Sequence, residues 1–329
     1  MNVIKILKNN MYRVLERRGL LFMALVLIPL MIGCSVFFSY NMKKSLNIAL
    51  IGENIQQEMD NNVLKVVNLN KKPAISDLLL NKYDAIVEQK TDGTYEVTMI
   101  KSNKYKNLIY DYYNNGKKID FTAVNINRRG VGANILCFVS MFVLMQGVAL
   151  MTLYSDDKTN KTFRRVLVTT ANEWQYLLAQ GIFTFAFLFI PTFLAVFITK
   201  EIFNLQMGYT DGILTGLLAI IVGLGTAFAL FVVSVVKKQD NGVMVAAVII
   251  IITSILSGCF FTFTSSNKIM NILCGILPQK AYFSLVEGIE RGESFADYTS
   301  QLSYLFTCTI LFWITGCIVT KRKMKKGIF

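Results

Sequence analysis

Six uncharged apolar runs punctuate the chain, at 20–40, 131–154, 174–199, 212–236, 242–263 and about 300–320. A helix needs roughly 20 apolar residues to cross about 30 Å of hydrocarbon, so each run predicts one membrane span. Residues 1–19 place Val3, Leu7, Met11, Val14 and Leu15 on one stripe and Lys5, Lys8, Arg13 and Arg17 around the rest, the pattern of an amphipathic helix in a membrane interface. The alternative is a solvated basic segment that only fixes topology. Residues 41–129 alternate strand-like runs at 46–51, 83–88 and 95–100 with helical patches at 75–81 and 103–113, and Thr91-Asp92-Gly93 marks a turn between two of the strands. The predicted fold class is a predominantly α-helical integral membrane protein with six transmembrane helices. An α/β extracytoplasmic domain over 41–129 is inserted between the first helix, TM1 at 20–40, and the second. Residues 130–329 then hold TM2 to TM6.

Charge fixes the orientation. The 329 residues are 53% hydrophobic and 17% charged with a net charge of +13, so what matters is where the cations lie. Lys5, Lys8, Arg13, Arg17 and Arg18 precede the first run. Lys158, Lys161, Arg164 and Arg165 follow the second, Lys237 and Lys238 the fourth, and Lys321, Arg322, Lys323, Lys325 and Lys326 the sixth. Cytoplasmic loops retain Lys and Arg, so both termini are expected in the cytoplasm of a multi-pass plasma-membrane protein, with a bacterial cell membrane suspected. Residues 29–34 imitate a lipoprotein cleavage box ending at Cys34, but the apolar run continues through Phe37 and Phe38. The stretch 41–129 has no cysteine, so no disulfide framework holds that domain.

The composition also excludes chemistry. Without a histidine, helical zinc proteases and Ser-His triads are ruled out. No charged residue lies inside any apolar run, which removes the buried carboxylate or base that ion-driven carriers use. No G-x-x-x-x-G-K-[ST] loop is present, so the chain has no P-loop of its own with which to hydrolyse ATP. No catalytic, cofactor-binding or metal-binding residue is expected, and nothing calls for a nucleic-acid partner. The contact for a separate ATPase is expected in the loop 155–173. Its part from Thr159 to Leu167 forms a short helix in this reading, with Phe163, Val166 and Leu167 on one side and cations on the other, suited to a groove in a soluble subunit. The alternative is a positive loop lying on anionic headgroups.

With these features in view, the sequence resembles the permease subunits of type-2 ABC exporters, the ABC-2 membrane proteins of the type V exporter fold. The family has an interfacial helix, six spans and, after the second, a loop patterned E-x-x-x-G-T-x-x-R-L-x-x-x-P. Thr162, Arg165, Leu167 and Thr169 stand in that frame, with Lys161 where Gly is usual and Thr170 where Pro is usual. Ser257-Gly258 resembles the family's S-G-x-x-x-P element, with Thr262 for Pro, and Leu277-Pro278 through Gly288 resembles a later one. In the family these form re-entrant helices at the outer face, here 257–298. The resemblance implies ATPase coupling through Thr159, Thr162, Phe163, Arg164, Arg165, Val166 and Leu167. It implies two P-loop ATPase subunits that bind ATP and Mg, and a second permease, either another copy or a paralogue, in membrane lipid.

Two further patterns bear on transport. Phe185, Phe189, Phe193 and Phe197 recur every fourth residue around Pro191, a candidate wall of a substrate pathway with Ser257 and Gly258; such stripes also face lipid or a neighbouring helix. Gly212 and Gly216 are a candidate permease interface. The function expected is the permease subunit of an ATP-driven exporter for a hydrophobic or amphipathic substrate, such as a peptide, drug or natural product. The alternative is a membrane-anchored assembly or sensor protein acting through its extracytoplasmic domain.

Overall fold

The computed structural model describes residues 3–22, 26–41, 46–51, 64–69, 73, 78, 83, 85–90, 94–99, 103–115, 130–168, 172–205, 207–236, 239–259 and 268–326. In chain order the elements are α1 (Val3–Glu16), α2 (Arg18–Phe22), α3 (Ile28–Asn41), β1 (Leu46–Ile51), β2 (Leu64–Asn68), β3 (Ala85–Gln89), β4 (Tyr95–Thr98) and α4 (Asn103–Asn115). They continue as α5 (Val131–Thr159), α6 (Thr162–Val168), α7 (Glu173–Ile202), α8 (Asp211–Val235), α9 (Gln239–Ser257), α10 (Lys268–Gly275), α11 (Pro278–Glu290), a 3-10 turn (Phe295–Tyr298) and α12 (Thr299–Lys325). Two compact units result, one of Met1–Ser39 with Arg129–Phe329 and one of Tyr40–Arg128.

Among the described residues of the first unit four helical stretches are long and apolar enough to cross a membrane: α5, α7, α8 and Phe295–Lys325. Ile28–Phe37 and Asn241–Ser257 are shorter apolar helices. The helices start and stop where the side chains dictate. Thr210 caps α8 by accepting from the Ile213 N–H, and Asn172 with Gln175 forms a capping box at the start of α7. α9 ends at Gly258, whose φ of +88° lets the Gly258 and Cys259 amides reach back to the Ile255 and Ser254 carbonyls. The helix entered from the second apolar run outlasts it: α5 carries Ser155 to Thr159, expected as loop, because charges there find partners described below.

Small residues decide how closely these helices approach. α5 and α12 both pack along α8, and a Cβ added at Gly147 of α5 would stand 3.1 Å from the Gly225 carbonyl oxygen of α8. One added at Gly316 of α12 would lie 3.2 Å from the Phe231 backbone nitrogen, so the two helix backbones approach closely where glycine stands. The core around α8 joins Leu217, Leu218 and Ile221 to Leu136 and Val143 of α5 and Tyr282, Phe283 and Val286 of α11. Ile190, Leu194, Ile198 and Ile202 on α7 and Phe306, Ile310, Ile314 and Ile318 on α12 recur every fourth residue and are exposed, the stripes a lipid solvent favours.

The second unit is a four-stranded sheet in the order β2-β1-β3-β4. β1 runs parallel to both neighbours, with Ile48 opposite Val66 and Ala85, while β3 and β4 are antiparallel with Val87 opposite Val97. Both faces are covered. Ile48, Leu50, Val87 and Val97 meet Ile109 of α4 on one side, and Ala49 and Ile86 meet Leu78 and Tyr83 on the other. That explains the apolar run of β1 from Ile48 to Ile51, since a strand buried on both faces does not alternate. β2 escaped the sequence pattern; of the helical patch at 75–81 only Leu78 is described, in helical conformation, and the turn at 91–93 lies outside the described residues, although Lys90 N–H donates to the Thr94 carbonyl. At the far edge Asn114 pairs both with the Tyr95 N–H and with its carbonyl, satisfying an edge strand with a side-chain amide.

Candidate functional site

The short helix α6 hangs from the end of α5 by a two-residue turn, Asn160 and Lys161, and its placement rests on one ring. Phe163 is 1% exposed and wedges between Tyr154 of α5 and Tyr176 of α7, with ring centroids 5.5 and 4.9 Å away. Edge-on aromatic pairs of this kind add about 0.5–1.5 kcal/mol each beyond the area they bury. This reverses one expectation. The side of α6 with Phe163 is turned into the protein, Val166 is half-buried beside it, and the surface left open is polar: Thr162, Arg164 and Arg165, with Thr159 and Lys161 adjoining. The Leu167 side chain and residues 169–170 lie outside the described residues.

The same end of the spans is cross-braced by charge. Asp157 of α5 accepts from Arg13 of α1 at 2.8 Å and from the Tyr176 hydroxyl, while Arg17 pairs with Asp156. Arg13 also donates to the Leu153 carbonyl at 3.2 Å, and Asn10 donates to Gln180 of α7 at 2.7 Å in a buried contact. α1 is therefore held by Ile6, Asn10 and Val14, whereas Met11 and Leu15 of the expected apolar stripe are exposed. The helix has two apolar faces, one docked and one open.

α8 ends among lysines. The last carbonyls of a helix lack intrahelical donors, and here the three beyond the final helical bond find lysines. Val232 receives the Val236 N–H, Val233 receives Lys158 Nζ at 2.5 Å, and Ser234 and Val235 receive Lys323 Nζ at 2.6 and 2.5 Å. Lys158 belongs to α5 and Lys323 to α12, and a chain from the Tyr154 hydroxyl through Thr320 to Ser234 links the same three helices. Positive charge at a helix C-terminus also opposes the negative end of its macrodipole. One packed junction thus joins α1, α5, α6, α7, α8 and α12, with a cationic helix face open beside it.

Comparison with known families supplies the context for that junction. The model of the ABC-2 family transporter proteins matches residues 17–318. The chain belongs to the ABC-2 transporter family. No curated protein matches it. As an ABC-2 protein it is a multi-pass membrane permease of an ABC transporter, and the ATPase of such a transporter is a partner of the permease.

The remaining expected residues of this ABC-2 protein fall in three places. Phe185, Phe189, Phe193 and Phe197 stack ring on ring along α7 at centroid distances of 5.6, 5.9 and 5.9 Å, half-buried at the rim of the core. Ser257 and Gly258 stand at the end of α9. Ser257 is fully buried and Gly258 makes the helix-ending turn, while Cys259 reaches the Cys137 carbonyl of α5. Gly212 and Gly216 are exposed on α8, and a Cβ at either would meet open space.

At the other end of α5 stands a residue the sequence did not single out. Glu290, the last residue of α11, accepts the Gly132 N–H at 2.8 Å. Burial pushes its carboxyl up from the ordinary range, and the backbone amides of Ala133, Gly132 and Gly130 oppose that shift by favouring the charged form.

Proposed function

We propose that this chain is the permease subunit of an ATP-driven exporter that moves a hydrophobic or amphipathic substrate, such as a peptide, drug or natural product, across a bacterial plasma membrane. In this reading the chain crosses the membrane six times, with α3 and α9 completing the set. Both termini and α6 lie in the cytoplasm, and unit 40–128 lies outside. Two permeases form the pathway, and two ATPase subunits that bind ATP and Mg dock beneath them. The observation that supports it best is α6 itself. A helix anchored by Phe163 to two spans, with Arg164 and Arg165 turned outward, is built to receive force and pass it on.

The burial of Phe163 sharpens the partner's chemistry. The ATPase groove that receives α6 carries acidic residues to meet Arg164 and Arg165, rather than an apolar slot. Purification from native membranes in mild detergent tests this. A P-loop ATPase is expected to copurify, and Arg164→Glu with Arg165→Glu is expected to release it or abolish its permease-dependent activity. Absence of any associated ATPase would sink the exporter reading.

A further inference from the structure

α5 begins without a cap of its own. Its N-cap position is Gly130, which has no side chain to offer, so the first-turn amides depend on a neighbour. Glu290 is that neighbour, and the surroundings are shaped for it. A Cβ on Gly130 would lie 2.2 Å from Glu290 Cδ, and one on Gly132 would lie 3.0 Å from Glu290 Oε1 and 2.5 Å from the Met207 carbonyl oxygen. Gly208, at a φ of +69°, lets the preceding loop pass 3.0 Å from the Glu290 carbonyl oxygen by the same measure. Tyr209 then donates to the Val286 carbonyl at 2.9 Å, fixing α11 one turn earlier. Two separate segments therefore give up side chains where the carboxylate sits.

The other end of α5 carries α6. Between the two, α5 is a continuous helix of 29 residues without proline, which at 1.5 Å per residue spans about 42 Å. Its far end is clamped through Asp157 to α1 and through Lys158 to α8. A rod held at both ends by charged groups transmits a displacement instead of absorbing it.

We propose that Glu290 is a positioning residue that latches α11 to the N-terminus of α5, so that a displacement imposed on α6 by the ATPase reaches the opposite membrane face through α5 and moves α11. This rests on the permease reading above.

The test is hydrogen–deuterium exchange of the full permease–ATPase complex in nanodiscs, nucleotide-free and trapped with ATP and vanadate. In the native complex, trapping is expected to change exchange in peptides covering 159–168 and 278–293. In Glu290→Gln the first change persists and the second falls about threefold or more. Gly130→Ala, whose added Cβ would meet the Glu290 carboxyl group before any other atom and leaves the charge unaltered, is expected to do the same. If Glu290→Gln fails to assemble, Glu290→Asp, with the charge kept and the reach shortened by one methylene, is read in the same way. A purely structural cap would raise exchange in both nucleotide states and leave their difference intact, and that result overturns the latch, as does a native complex that responds at 159–168 but not at 278–293. No response at 159–168 in the native complex overturns the permease reading instead.

Discussion

Lys161 shows how much one backbone angle can say. It stands where the ABC-2 loop pattern usually has glycine, and its φ of 57° lies in the left-handed region that glycine enters freely. A non-glycine residue there costs roughly 1–2 kcal/mol. The position is exposed, so little packing depends on the lysine side chain. Lys161→Gly is therefore expected to stabilise the protein by about 1 kcal/mol, seen as a higher apparent Tm of the purified protein. An unchanged or lower Tm would mean that the turn between α5 and α6 does not take this form. The junction beneath was less legible. Asp156 and Asp157 follow an apolar run, and Arg13 and Arg17 are spaced one helical turn apart, but only the fold shows that the two pairs face each other.

Among elements, α8 is the one whose end depends most on others. Lys158 is almost wholly buried where it meets the Val233 carbonyl, whereas Lys323 is half-buried over Ser234 and Val235. A buried carbonyl stripped of its donor costs about 1–3 kcal/mol, while one that water can reach costs less. Lys158→Met is accordingly expected to lower thermal stability more than Lys323→Met, with both below the native protein. Equal losses, or the reverse order, would show that the clamp is not what holds this helix end. The positions of α5, α7, α8 and α12 could be read from hydrophobic run length alone. Which face of α6 turns inward could not, because Phe163 and Arg164 are neighbours and an isolated amphipathic turn fits either way round.

At the scale of the molecule, the contacts that hold α6 and the contacts around Glu290 all belong to the unit of Met1–Ser39 with Arg129–Phe329. The unit of Tyr40–Arg128 has its own core on both sheet faces. Replacing 41–129 by a flexible Gly/Ser linker is thus expected to leave the amount of copurified ATPase per permease unchanged, measured on the purified complex. A clear loss of ATPase would mean that the sheet unit takes part in assembly. That this unit mixes strands and helices could be seen in its alternating pattern, but β2 became apparent only with Leu64-Lys65-Val66-Val67-Asn68 paired beside β1.

By itself the sequence determined the solvent and the positions of the long helices, and it set the expectations of a non-catalytic chain and of a coupling loop at 155–173. These follow from run length, charge and residue inventory, which are properties of a chain read in order. Tertiary structure alone decided the roles of Phe163, Asp157, Lys158, Lys323 and Glu290. Each acts by meeting a group far away in the chain, such as Glu290 at Gly132 or Lys323 at Ser234, and local pattern carries no information about partners that only packing brings together.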